Sequence, residues 1–260
     1  NLVSIIATNL DFIFRDEHDT IKTNVMNFSD LHVSNCYAKL SGFDFNGDTT
    51  QFRIEHLSLY EKCGFALKKL SANLNVNPVS IQLNNLLLKT NHSLIETDLA
   101  FNYKSYDDLN RFVKKVKVKA SFSNSQVQLD DIAFFASELK GINKKVFLSG
   151  DVSGKVSSIK GKNMDIVWGD NSHYRGDLEI EGLPDFDETT INFTVDELTT
   201  SRNDLQQIPT YPFAEGKFLE IPPNIALLGK IKFKGTISKL YGDYVSYGNF
   251  YTSLGNIYTD

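Results

Sequence analysis

The apolar positions of this chain recur with period two over most of its length, the pattern of strands that keep one face dry. The pattern is clearest in residues 79–103, VSIQLNNLLLKTNHSLIETDLAFNY. Ile81 and Leu83 share one face. Asn84-Asn85 then shifts the phase, and Leu86 and Leu88 carry the apolar face onward, which predicts a β-bulge or bend. Thr90-Asn91-His92-Ser93 is turn chemistry. After it Ile95, Thr97, Leu99, Phe101 and Tyr103 face one way, and Glu96, Asp98, Asn102 and Lys104 the other. Residues 169–180 repeat this unit. Laying TNHSLIETDLAF over GDNSHYRGDLEI matches Ser with Ser, Asp-Leu with Asp-Leu, and Phe101 with Ile180, and sets Leu178 opposite Leu99.

The remaining chain reads as variations on the same theme. Residues 10–14, 21–28 and 31–40 predict strands. Phe52, Ile54, His56 and Ser58 are expected on one face with Leu57 and Leu59 on the other, and Leu70, Ala72, Leu74 and Val76 run in phase. Val116, Val118, Ala120 and Phe122 alternate with lysines and serines as a half-buried strand, and Ile231 and Phe233 alternate with Lys230, Lys232 and Lys234. Between Val146 and Val156 small and large residues share one parity. Helical turns are expected at 106–113, 129–141 and 200–207. Asp130 or Asp131 would cap the second, Gly141 would end it, and Phe134, Phe135 and Leu139 would pack against the sheet or close one end of it. Residues 211–224 read as irregular loop. No linker or domain boundary interrupts the 260 residues. The prediction is a single all-β segment, 1–260, an elongated repetitive sheet with two or three short helices. A two-sheet β-sandwich is the alternative.

Composition narrows the function classes. A net charge of −5 lacks the basic footprint of a nucleic-acid binder. Residues 104–119 carry six basic and two acidic side chains, and 183–209 six acidic and one basic, which reads as solvated faces of opposite sign. Cys36 and Cys63 have no metal or redox spacing. The five histidines show no pair at ligand spacing, and no nucleophile elbow, phosphate loop or dinucleotide fingerprint occurs. Asp107-Asp108, Asp130-Asp131 and Asp185 with Asp187-Glu188 are better explained as caps and turns than as a hydrolytic carboxylate pair. The reading is therefore non-enzymatic, with no cofactor and no metal. The chain starts Asn-Leu-Val and has no apolar run near 18 residues, which suggests a fragment of a longer protein.

SGFDF (41–45), LNNLLLKTNHSLIETDL (83–99), LDDIAFFASELKG (129–141), LSGDVSGKV (148–156), IEGLPDFDETTINF (180–193) and the closing D-x-x-x-Y-G-x-x-x-T-x-x-G of Asp243, Tyr247, Gly248, Thr252 and Gly255 resemble the translocation-and-assembly-module (TamB, AsmA-like) family in its Bacteroidota form. The resemblance implies a long, strongly curved sheet that forms an open groove or β-taco lined with apolar side chains, in a bridge-like lipid-transfer protein of the periplasm anchored in the inner membrane outside this segment. It would pass phospholipid acyl chains along an apolar groove, support outer-membrane protein assembly, and meet a BamA-type outer-membrane barrel through the full-length protein. On that reading Ile81, Leu83, Ile95, Leu99, Phe101, Val116, Val118, Leu178, Ile180, Ile231 and Phe233 line the groove. A surface adhesin or carbohydrate-binding sandwich is the competing class, and an envelope hydrolase a weaker third.

Overall fold

The structure, a computed structural model, describes residues 3–16, 25–136, 139, 142–210, 217–240 and 243–260. Fourteen strands form one antiparallel sheet in unbroken chain order. They are β1 (Ser4–Arg15), β2 (Asp30–Asn46), β3 (Thr49–Glu61), β4 (Ala66–Asn77), β5 (Ser80–Lys89), β6 (Leu94–Asn102) and β7 (Lys117–Gln128), followed by β8 (Lys145–Lys155), β9 (Ser158–Trp168), β10 (Ser172–Glu181), β11 (Thr190–Ser201), β12 (Lys230–Leu240), β13 (Asp243–Thr252) and β14 (Gly255–Thr259). The two edge strands, β1 and β14, do not pair with each other, so the sheet is open. This is the expected elongated, curved all-β sheet, and it is one sheet rather than the two of a sandwich.

Asparagine bulges give the sheet a repeated kink. Asn9, Asn35, Asn85, Asn124 and Asn163 all adopt positive φ, between 44° and 53°. A side chain tolerates that region best when it is short and polar. Each lies at or beside a register shift in its ladder. The neighbouring strand then satisfies the backbone the bulge frees. Asn85 N–H donates to Asp98 Oδ1 at 2.7 Å and Asn163 N–H to Asp177 Oδ1 at 2.9 Å. Asn35 N–H donates to Asp11 Oδ1 at 3.2 Å and Asn124 N–H to Ser149 Oγ at 3.0 Å. The Asp of each repeated Asp-Leu pair is thus a bulge holder. A bulge bends its strand and increases local twist, so bulges spread from β1 to β9 curve the sheet.

A bulge also corrects one face assignment. The β3–β4 ladder slips between Ile54 and Leu57, so Leu57 pairs with Leu70 while Ile54 pairs with Ala72. The extra residue puts Leu57 on the apolar face with Phe52 and Ile54. His56 turns away and meets the Tyr37 ring edge-on at 5.3 Å.

The helices are shorter than expected. α1 (Phe112–Lys115) follows a 3-10 turn over Tyr106–Arg111, α2 is Leu129–Ala133, and α3 is Arg202–Leu205. The predicted helix at 129–141 ends at Ala133, with residues 137, 138, 140 and 141 outside the described set. Its N-cap is Gln128 with no side-chain cap, so neither Asp130 nor Asp131 caps it. Asp108 does not cap from the N-cap position either; it accepts the Lys104 N–H at 2.9 Å. At the start of the chain β1 extends back to Ser4. Of the strand expected at 21–28, residues 21–24 lie outside the described set and 25–28 are not strand. Within the loop expected at 211–224, residues 211–216 are likewise outside it, and a 3-10 turn begins at Pro223.

Candidate functional site

The apolar face is continuous across the sheet because antiparallel partners point the same way. One row runs Leu74, Leu83, Leu99, Ala120, Val152, Gly161, Leu178, Phe193 and Ile237 from β4 to β12. A second runs Val76, Ile81, Phe101, Val118, Gly154, Ile159, Ile180 and Ile191 from β4 to β11. Ile95 pairs with Leu88 farther along the same face, and Ile231 pairs with Thr200. The sheet therefore brings the predicted groove residues of β5, β6, β7, β10 and β12 onto one side.

Their exposure divides them. Nine are half-buried: Ile81, Leu83, Ile95, Leu99, Phe101, Val118, Leu178, Ile180 and Ile231. Val116 and Phe233 are not groove wall. Val116 is fully buried and precedes β7, closing α1 through its N–H bond to Phe112 O at 3.0 Å. Phe233, 2% exposed, sits in a cluster with Met164, Tyr174 and Val195 from neighbouring strands. That cluster packs within one curved face, with no second sheet above it among the described residues. The opposite face carries cross-strand ion pairs such as Lys160–Glu179 at 2.9 Å and Lys162–Asp177 at 2.6 Å.

Two connections reach back over one end of the sheet, each fastened by a buried aspartate. After β7, Asp131 Oδ2 accepts from Thr90 Oγ1 at 2.6 Å and Ser93 Oγ at 2.5 Å, on the β5–β6 turn. After β11, Asp204 does the same on the β9–β10 turn. Its Oδ1 accepts the Asp170 N–H at 3.0 Å, and its Oδ2 accepts the Asn171 N–H and the Ser172 hydroxyl, both at 2.9 Å. Burial pushes the Asp204 carboxyl up, but these N–H and hydroxyl donors outweigh it and hold it below the usual carboxylate range. Gly169 makes the approach possible: at φ +59°, its Cβ would lie 2.4 Å from Asp204 Oδ1. Ser93 and Ser172 are the matched serines of the sequence repeat. That the turns bind aspartates 38 and 32 residues downstream was not readable from spacing.

The two straps cover different things. The first runs outward to the β3–β4 turn, where Phe65 meets the Phe134 and Phe135 rings at 5.7 and 5.1 Å. Phe135 stays 53% exposed, so it is less packed than expected. The second strap lies against the apolar face. Leu205, Ile208 and Pro209 roof a cavity of about 440 Å³ whose floor includes Val146, Ile166, Trp168, Tyr174, Phe193, Leu198 and Ile237. These floor residues come from five strands. Of them only Phe193 and Ile237 share the row through Leu99 and Leu178, and none was singled out from the sequence as a site residue.

The two cysteines are free thiols, and burial raises both; Cys63 is pushed up to about 11. Among the described residues no helix is long and apolar enough to cross a membrane. Comparison with protein-family models, with curated proteins and with solved structures finds no match to this chain.

Proposed function

We propose that this chain is a non-enzymatic segment of a periplasmic bridge between inner and outer membranes. It conducts phospholipid along its apolar groove and supports outer-membrane protein assembly and translocation. In this reading the full-length protein is anchored in the inner membrane and meets a BamA-type barrel. The observation that carries the reading is the half-exposed apolar face, continuous from β4 to β12 of a single open sheet. Apolar area is worth roughly 25 cal/mol per Å² when covered, and soluble monomers rarely leave a large contiguous patch uncovered. An acyl chain can cover this face without any directional bond. The envelope location and the barrel rest on the motif resemblance. The test is mass spectrometry of organic extracts of the purified protein. Co-purifying phospholipid supports the conduit, and lipid-free folded protein overturns it.

A second reading, a carbohydrate-binding surface module, has one observation in its favour. Tyr247, Tyr251 and Tyr258 are exposed and share the polar face of the last strands. Aromatic rings so placed suit stacking on sugars. Saturable binding to a glycan, lost in Tyr251→Ala, would favour it.

A further inference from the structure

We propose that the roofed cavity between the second strap and β8–β12 is a resident site for one fatty acyl chain with an anionic head, held between Trp168 and Lys144. This proposal deepens the lipid reading and rests on it. Three observations distinguish the site from the rest of the open face. It is partly roofed, with Leu205 and Ile208 over a floor that includes Ile166 and Phe193, and at about 440 Å³ it lies in the range of small-ligand pockets. The strap that roofs it is tied down by Asp204, so an acyl chain would sit under a fixed roof rather than slide along an open trough.

The second observation is polar. Trp168 Nε1 is buried and has no hydrogen-bond acceptor among the described residues. A buried indole N–H ordinarily finds a partner. A small rotation of the indole toward the cavity lets an acyl ester or carboxylate oxygen supply one. The third is charge. Lys144, at the rim, bonds Gln207 Oε1 on the strap at 3.2 Å and lies 5.6 Å from the Phe218 ring centre. Its ammonium has no carboxylate partner among the described residues. The one lining carboxylate, Asp204, already accepts three hydrogen bonds from the β9–β10 turn. A partly roofed apolar recess with an unsatisfied donor and a lysine that has no carboxylate partner among the described residues fits an anionic amphiphile.

The chain's single tryptophan makes the test direct, since Trp168 lines the cavity. Dibromostearate, whose bromines quench indole fluorescence at contact, is titrated into the full chain. Saturable quenching is expected. Lys144→Gln should weaken dibromostearate binding about fivefold, as loss of a partly exposed ion pair does, and leave the brominated methyl ester unaffected. Lys160→Gln, on the opposite face, should change neither. Absence of quenching, or quenching indifferent to Lys144→Gln, overturns the site. The conduit reading fails separately. Co-purified phospholipid with no quenching by dibromostearate leaves the groove standing without this site. Saturable, Lys144-dependent quenching in a protein whose extracts hold no phospholipid leaves a fatty-acid site without the conduit.

Discussion

The two copies of the repeated unit share a backbone device and differ in what they do with it. In the first, β5 and β6 carry the Asn85 bulge held by Asp98, and Ser93 fastens Asp131 of the following strap. In the second, β9 and β10 carry the Asn163 bulge held by Asp177, and Ser172 fastens Asp204. Yet the first strap turns outward to Phe65, and the second folds onto the apolar face and partly roofs a cavity. The fastening differs too. Asp131 is held by two hydroxyls, with His92 Nδ1 at 3.7 Å, whereas Asp204 also takes two backbone N–H groups. A common scaffold thus supports an open stretch and a roofed one.

The sharpest way to break the comparison is to exchange Thr97 and Gly176, which occupy equivalent positions. Gly176 has φ +150°, and a Cβ there would lie 2.0 Å from Thr194 O. Gly176→Thr should cost about 4 kcal/mol, combining backbone strain with overpacking against a fixed carbonyl. Thr97→Gly should cost about 1 kcal/mol. Denaturant midpoints read both, and equal costs would mean the two copies tolerate side chains alike.

Next in size are the straps. Asp204→Ala should cost about 3 kcal/mol and Asp131→Ala about 2 kcal/mol, because the former also strips the acceptor from two backbone N–H groups of the β9–β10 turn. The pH dependence follows from the depressed Asp204 carboxyl. Its contribution is present above the ordinary value of 3.8 and is lost as pH falls through the lower folded value. Wild type should therefore lose more stability on acidification below about pH 4 than Asp204→Asn does. Parallel acid curves would remove Asp204 from the account.

A charge on the groove face separates the copies more gently. Leu178 packs against the buried cluster around Met164, and Leu99 is not part of it. Leu178→Asp should cost about 2 kcal/mol and Leu99→Asp about 1 kcal/mol, since each half-buried carboxylate can still reach water. Both proteins should melt cooperatively and carry less lipid. Outright unfolding of Leu99→Asp would mean that this stretch of the face is closed core. The smallest effect is expected at Phe135. A packed site would lose roughly 3–5 kcal/mol on truncation to Ala, but the half-exposed ring observed should lose about 1 kcal/mol or less by urea titration.

The period-two pattern determined which residues share a face wherever the strand ran unbroken, because side-chain alternation follows from local backbone geometry alone. Asn84-Asn85 was readable as a bulge for the same reason: the phase visibly jumped between Leu83 and Leu86. The slip between Ile54 and Leu57 was not, because apolar residues occupy both parities there and either phase leaves one of them dry. The repeat, with its matched Ser93/Ser172 and Asp98/Asp177, was written in the chain, but its purpose was not. Asp98 and Asp177 meet bulges 13 and 14 residues upstream across a strand pair, and Asp131 and Asp204 meet turns more than thirty residues upstream. Such partners are set by register and by the path of a connection, which only the folded sheet specifies. Exposure follows the same division. The sequence by itself determined that Ile81, Leu99, Phe101, Leu178 and Phe233 lie on the apolar face of their strands. Tertiary structure decided that Phe233 is buried under its neighbours, that Val116 is sealed at a helix end, and that Trp168 faces a roofed cavity. Hydrophobicity says what a side chain leaves, and only packing says what takes the place of water.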